Sequence, residues 1–160
     1  MPKSGTKRWM AAAAAVVAIS GLGVLVPESA YAATPVCASW SITQGDNVYE
    51  WHTPTSGSGN QNRACSLKQG NTGWGVVVLQ EALRACFGQN ISADGQFGPL
   101  TKNALRNAQS QINSRYGAGI AVDGEYGPQT ASWWWDAKYY RTGGVVYGGF
   151  SVCAVHLGSL

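Results

Sequence analysis

The chain has 160 residues, of which 12% are charged, and its formal net charge is +3. Three of its eleven basic residues lie near the amino terminus. Residues 33–160 contain eight basic and seven acidic residues. This nearly neutral remainder is one domain's worth of chain and lacks the basic stripe typical of nucleic-acid binding. We therefore expect one modest domain and no nucleic-acid partner.

The first 32 residues have the pattern of a secretory signal peptide. Lys3, Lys7 and Arg8 provide a positive start, and an apolar stretch follows over residues 10–26. Ala-Tyr-Ala at positions 30–32 is a small-residue cleavage signal. We expect cleavage after residue 32, a secreted product and no membrane span after cleavage. A retained membrane anchor is the alternative, because the apolar stretch reaches the short end of spanning length.

Residues 33–72 form a polar arm that is rich in turn-forming residues. Weak alternation over residues 39–51 predicts one short hairpin, and residues 53–60 have the composition of a loop.

Four cysteines follow the predicted cleavage site, namely Cys37, Cys65, Cys86 and Cys153. An even number of cysteines in an exported chain predicts two disulfides, for which three connectivities are possible. We favour Cys37–Cys65, which closes the arm, and Cys86–Cys153, which joins the carboxyl-terminal tail to a helix.

One eight-residue motif occurs twice. Residues 94–101 read DGQFGPLT and residues 123–130 read DGEYGPQT, 29 positions later. In each copy Asp-Gly favours a turn, an aromatic residue can anchor the loop in the core, and Gly-Pro begins a helix. We call these segments the first octad and the second octad. Two interpretations are open. The octads either serve only to begin a helix, or they are loops that also line a binding surface.

Helical periodicity surrounds the octads. A first helix is predicted from residue 73, with the apolar stripe Val76, Leu79, Leu83 and Cys86 and with Gly88 as a stop signal just past its end. A second helix is predicted from Pro99 to about residue 114, with Ala104, Leu105, Ala108 and Ile112 on its apolar side. A third helix is predicted over residues 128–139. The tail is rich in glycine and then alternates, which predicts one or two strands.

The chain closely resembles the peptidoglycan-binding domain family in three features taken together. They are the array Val76-x-x-Leu79-Gln80-x-x-Leu83, the two octads, and Thr101-x-x-Ala104-Leu105. Modules of this family are appended to bacterial cell-wall hydrolases or stand alone. The resemblance covers residues 73–138. It implies a mainly α fold, a compact three-helix bundle, to which residues 33–72 and 139–160 would add small β and loop extensions held by disulfides. It also implies a cell-wall location and binding to a glycan strand or a peptide stem.

Such a ligand offers sugar faces, amides and carboxylates, so aromatic, amide and charged side chains on or near the octads are the candidates. The candidate ligand-binding residues are Trp74, Gln80, Arg84, Asp94, Phe97, Asp123, Tyr126 and Trp133. The family usually has a Phe where Ala108 stands, and smaller residues where Trp133 and Trp134 stand. One of these tryptophans is therefore predicted to fill the volume that Ala108 leaves.

Signatures of common enzymes are missing from the sequence. Asp94 and Asp123 could form a catalytic pair, but their matched turn positions favour a structural role. His52 and His156 are far apart in sequence and no Cys-x-x-Cys occurs, so neither a metal nor a cofactor is expected. We expect a secreted, non-enzymatic cell-wall binding protein. The alternatives are a small cell-wall hydrolase and a secreted interaction or inhibitor protein with the same fold.

Overall fold

The computed structural model describes residues 33–45, 49–59, 62–142 and 145–155. The predicted signal peptide and His156 lie outside these ranges. In chain order the elements are β1 Ser39–Gly45, β2 Tyr49–Thr55, α1 Trp74–Phe87, α2 Pro99–Tyr116, α3 Pro128–Ala131, β3 Trp135–Thr142 and β4 Val145–Val155.

The first two helices form where the sequence predicts them. Leu79 and Leu83 of α1, and Leu105 and Ile112 of α2, are fully buried, which confirms the apolar faces read from the 3.6-residue period. α1 ends at Gly88, which has the left-handed conformation, with φ at 64°. Glycine adopts this conformation without steric cost, so the predicted stop signal is confirmed.

The prediction of a compact three-helix bundle is wrong. α3 contains only four residues, Pro128–Ala131, and the chain is already extended at Trp135, where β3 begins. Of the residues expected to continue the third helix, those from Trp135 onward instead belong to a four-stranded antiparallel sheet. The described fold is therefore a mixed α and β structure in which the arm and the tail supply most of the sheet.

Strand pairing explains why the third helix is so short. Aromatic residues have a high strand propensity, and the sequence after α3 contains three tryptophans and two tyrosines. β3 pairs with β2 on one side and with β4 on the other. A central strand has its backbone hydrogen-bonding groups satisfied on both edges, and this tertiary pairing overrides the weak local preference for helix.

The sheet has the strand order β1-β2-β3-β4. The predicted hairpin in the arm is present, but β2 continues to Thr55, three residues into the segment expected to be a loop. His52 of β2 lies opposite Ala137 of β3, and Ala137 lies opposite Cys153 of β4. The arm and the tail therefore meet through β3.

α1 packs against all four strands and against α2, so it occupies the centre of the fold. Disulfides join Cys37 to Cys65 and Cys86 to Cys153, which are the two pairs favoured from the sequence. The second bond links α1 to β4.

The arm passes very close to the first turn of α1. A Cβ atom on Gly75 would lie 2.0 Å from the backbone oxygen of Cys37, so only glycine fits there. The N–H of Cys37 donates to the backbone oxygen of Ser66 at 3.0 Å, which holds this part of the arm in place.

Trp134 occupies the centre of the core. Its side chain is completely buried and belongs to the same hydrophobic cluster as Ala108. Its ring lies 4.8 Å from the ring of Phe87 and 5.3 Å, edge to face, from the ring of Tyr126. Of the two tryptophans considered from the sequence, Trp134 is therefore the one suited to fill the volume beside Ala108.

Replacing Trp134 by Ala should lower the free energy of unfolding by about 3–5 kcal/mol, because it leaves a large cavity in the core. The matched control is Trp133→Ala, since Trp133 is only half-buried and its loss should cost about 1–2 kcal/mol. Urea unfolding followed by circular dichroism measures both values. A loss below about 1 kcal/mol for Trp134→Ala would contradict this assignment of the core.

Candidate binding site

The two octads form the same turn. Oδ1 of Asp94 accepts a hydrogen bond from the N–H of Gln96 at 2.9 Å, and Oδ1 of Asp123 accepts one from the N–H of Glu125 at 2.8 Å. The intervening glycines have φ of 72° at position 95 and 73° at position 124. The turn geometry predicted from Asp-Gly is thus present in both copies.

A buried glutamine holds the first octad against α1. Nε2 of Gln80 lies 2.9 Å from Oδ1 of Asp94, 3.0 Å from the backbone oxygen of Gln96 and 3.0 Å from Oγ1 of Thr101. Its Oε1 accepts from the N–H of Gly95 at 2.9 Å. One side chain therefore satisfies polar groups at the start, the middle and the end of the octad.

Gln109 of α2 makes the same four contacts with the second octad. Its Nε2 lies 2.9 Å from Oδ1 of Asp123, 3.0 Å from the backbone oxygen of Glu125 and 3.2 Å from Oγ1 of Thr130. Its Oε1 accepts from the N–H of Gly124 at 2.8 Å. We call the two sets of contacts the first and second amide networks. Each residue of the second network stands 29 positions after its counterpart in the first.

Gln109, Thr101 and Thr130 were not among the predicted site residues. The signal that could have identified them is the same 29-residue offset, which relates Leu79-Gln80 to Ala108-Gln109 as well as one octad to the other. Sequence reasoning applied this offset only to the octads and missed its extension into the preceding helices.

The aromatic residue of each octad is a core anchor. Phe97 is almost completely buried, and Tyr126 is fully buried with its ring nearly perpendicular to that of Trp134. The backbone of Tyr126 exchanges two hydrogen bonds of 2.8 Å with Leu67, which ties the second octad to the arm. Burial raises the pKa of the Tyr126 phenol, so this side chain stays neutral.

Each octad also lines a shallow cavity, and the two cavities are related by the repeat. The first has a volume of about 230 Å³ and is lined by Ser92, Asp94, Pro99 and Leu100 among others. The second has a volume of about 290 Å³ and is lined by the corresponding residues Ala121, Asp123, Pro128 and Gln129 among others. We call these cavities the first and second octad pockets.

Each octad pocket presents a carboxylate next to a Gly-Pro helix start. The N–H of Gln96 and, to a lesser extent, the amide of Gln80 donate to the Asp94 carboxylate and hold its pKa below the ordinary value. Asp94 therefore carries a negative charge at neutral pH and can accept hydrogen bonds from a ligand. The pockets can bind polar groups that donate, such as amides and hydroxyls.

The structure does not bring all eight predicted ligand-binding residues together. Gln80 and Asp94 line the first octad pocket, Asp123 and Tyr126 line the second, and Phe97 lies in the core. The remaining three lie elsewhere. Trp74 is exposed at the start of α1, Arg84 is exposed on α1, and Trp133 is half-buried with its ring 6.0 Å from that of Tyr116; these residues line neither octad pocket.

Within the described ranges, no group of three or more His, Cys, Asp or Glu side chains could hold a metal ion. The helices of the same ranges are too short or too polar to cross a membrane.

Residues 72–133 match the family model described as a putative peptidoglycan binding domain. The match confirms the resemblance read from the sequence, and it contains α1, α2, α3 and both amide networks. This segment is therefore similar to that family. No curated protein matches the chain significantly, and no solved structure does so.

Gln80→Glu should destabilise the protein in a pH-dependent way. The substitution replaces a donor by a carboxylate that faces the oxygens of Asp94, Gln96 and Thr101, at a cost of about 2–3 kcal/mol at pH 7. Repulsion and burial raise the pKa of the new carboxyl group in the folded state above the unfolded value of about 4.3. The deficit in the free energy of unfolding should therefore shrink as the pH falls towards the unfolded pKa. It should grow as the pH rises through the folded pKa.

Gln96→Glu is the matched control, because Gln96 is exposed and the equivalent position of the second octad is already Glu125. Urea unfolding at pH 7 and at pH 4.5 should show a deficit for Gln80→Glu that shrinks at the lower pH, and almost no deficit for the control. A deficit independent of pH would contradict the donor role of the Gln80 amide.

Proposed function

We propose that this protein is a secreted, non-enzymatic peptidoglycan-binding protein of the bacterial cell wall. The observation that carries the proposal is the family match over residues 72–133, because it coincides with the segment that contains both octads and both amide networks. A domain of this family without a catalytic partner would hold the protein on the wall.

The chemistry of the octad pockets supports this ligand class. Sugar hydroxyls and the amide N–H groups of peptide stems are hydrogen-bond donors, and each pocket offers an aspartate acceptor held by its own amide network. The amide networks fix these carboxylates before a ligand arrives, so little ordering entropy is lost on binding.

The duplication of the pocket suits a polymer. Peptidoglycan repeats the same chemical unit many times, and this chain repeats the same pocket twice. Two weak sites that engage one polymer bind much more tightly together than either does alone, because the second binding event is effectively intramolecular. We propose that the two octad pockets bind neighbouring groups of one wall polymer.

Secretion is supported by the signal-like pattern of residues 1–32 and by the two disulfides. Disulfides persist in oxidising compartments outside the cytosol. The same bonds support a non-enzymatic role, since all four cysteines of the chain are paired and none remains as a thiol nucleophile.

The mature protein should begin at Ala33. When the full chain is expressed in a secreting bacterial host, amino-terminal sequencing of the protein in the medium should read Ala-Thr-Pro-Val. Retention of the full-length chain in the membrane fraction would contradict the signal-peptide proposal and favour a membrane anchor.

Binding to purified peptidoglycan should depend on both octad pockets. Ser92→Arg and Ala121→Arg introduce bulk at exposed positions of the first and second pocket. We expect each to weaken retention roughly fivefold, which is about 1 kcal/mol, and the double variant to weaken it by more than either alone. A sedimentation assay with the purified, oxidised protein measures the retained fraction.

Ser110→Arg is the matched control, because it makes the same change of size and charge at an exposed position of α2 that lines neither pocket. No retention of the unmodified protein above a serum albumin control would refute the proposal. Release of soluble fragments from the peptidoglycan would instead identify a hydrolase.

A further inference from the structure

A third cavity lies between α1 and the sheet, separate from the octad pockets. Its volume is about 170 Å³. We call it the aromatic pocket, and it is lined by Trp40 of β1, His52 of β2, Tyr139 of β3 and, from α1, Trp74, Val77, Val78 and Glu81. Three of its four rings belong to strands outside residues 72–133, so the family match does not account for it.

The rings of this pocket are ordered by stacking. The His52 ring lies between two others, with its centroid 4.2 Å from that of Trp40 and 4.1 Å from that of Tyr139. By contrast, Trp74 is 66% exposed at the edge of the pocket. Trp74 therefore adds a ring that a ligand can reach from solvent to the aromatic lining of the cavity.

A carboxylate is the principal charge of the pocket. Oε2 of Glu81 accepts a hydrogen bond from the hydroxyl of Tyr139, which fixes the carboxylate against the ring wall. Burial lowers the pKa of His52, although Glu50, Glu81 and Asp136 each act to raise it, so the imidazole is neutral near pH 7. None of the residues that line the pocket is Lys or Arg. The lining therefore carries a negative charge with no cation of its own.

We propose that the aromatic pocket binds a primary ammonium group at the end of an aliphatic chain. Faces of Trp and Tyr rings attract cations through their quadrupoles, and the Glu81 carboxylate supplies the opposite charge. Val77 and Val78 provide apolar surface on which the methylene groups of the chain can pack.

Two other features of the pocket bear on the ligand class. The first turn of α1 carries a partial positive charge, but this effect falls off within one turn, and Glu81 lies in the next turn. A neutral sugar would bring several hydroxyls against mainly apolar walls, and the Tyr139 hydroxyl already donates to Glu81. An ammonium group at the end of an alkyl chain can donate one N–H to the Glu81 carboxylate and direct the others to the ring faces and to solvent at the open side of the pocket, while its methylene groups cover the apolar walls.

Under the proposed function, and resting on it, the ammonium group is the free side-chain amine of a diamino acid in an uncrosslinked peptide stem. The octad pockets would then bind donor groups of the wall polymer, while the aromatic pocket would select stems whose amine is not consumed by a cross-link. The pocket itself can be tested without peptidoglycan.

The test is an NMR titration of the oxidised protein with Nα-acetyl-L-lysine methylamide. The probe should shift the indole N–H signal of Trp74, which Trp74→Phe assigns by its loss. The norleucine analogue, which has the alkyl chain but no ammonium group, should bind at least fivefold more weakly.

Variants separate the charge from the ring contribution. Glu81→Gln and Trp74→Ala should each weaken binding of the lysine probe at least fivefold. Trp74 is exposed, so its replacement leaves the core intact. Ser110→Arg changes the net charge by the same +1 as Glu81→Gln, at an exposed position that does not line the pocket, and should change the affinity less than twofold.

Equal binding of the norleucine analogue would overturn the proposal, as would an unchanged affinity in Glu81→Gln. Binding of N-acetylglucosamine at the Trp74 signal without binding of the lysine probe would also overturn it and would identify a sugar site. These results are independent of the peptidoglycan assay, so the failure of one proposal can be distinguished from the failure of the other.

Discussion

The fold depends on two buried glutamine side chains. Gln80 and Gln109 each lie in the interior and satisfy four polar groups of the octad that follows. A buried amide without hydrogen-bond partners lowers the stability of the fold, and so does a turn whose buried backbone groups lack partners. Each glutamine side chain therefore depends on its octad, and each octad depends on its glutamine. This reciprocal requirement fixes the position of each loop relative to its helix and thereby shapes the cavity beside it.

The sheet packs against α1 and completes the folded unit. The matched family segment ends at residue 133, two residues before β3 begins, and β1 and β2 precede it. The strands bury polar groups as well as apolar ones: the Thr53 hydroxyl donates to the buried carboxylate of Asp136, which joins β2 to β3. The arm and the tail are therefore structural parts of the same folded unit, and the Cys86–Cys153 disulfide joins this sheet to α1.

The candidate sites use two different kinds of surface. The octad pockets combine backbone turns with carboxylates held by amide networks, and they are duplicated because the sequence is duplicated. The aromatic pocket is built differently, because it combines rings from three strands and a helix. A polymer with repeated units and free amines presents partners for both kinds of surface, which is why the two proposals are compatible although they stand on separate observations.

The sequence by itself determined the features whose causes lie within a few residues of one another. The Asp-Gly turns, the Gly-Pro helix starts, the apolar stripes of α1 and α2, and the glycine at position 88 all follow from local backbone chemistry. The repeat also contained the information for the amide networks, although the role of Gln109 became clear only from its contacts with Asp123 and Thr130.

The tertiary structure alone decided the length of the third helix and the existence of the aromatic pocket. Residues 135–139 were predicted to be helical, although their aromatic residues also favour a strand. The extended form came from pairing with β2, whose hydrogen-bonded residues lie more than 80 positions earlier. Trp40, His52, Glu81 and Tyr139 are likewise distant in sequence and meet only across the sheet and α1. Secondary-structure propensity depends only on residues that are close in sequence. The sequence pattern therefore could not predict which side chains share this cavity.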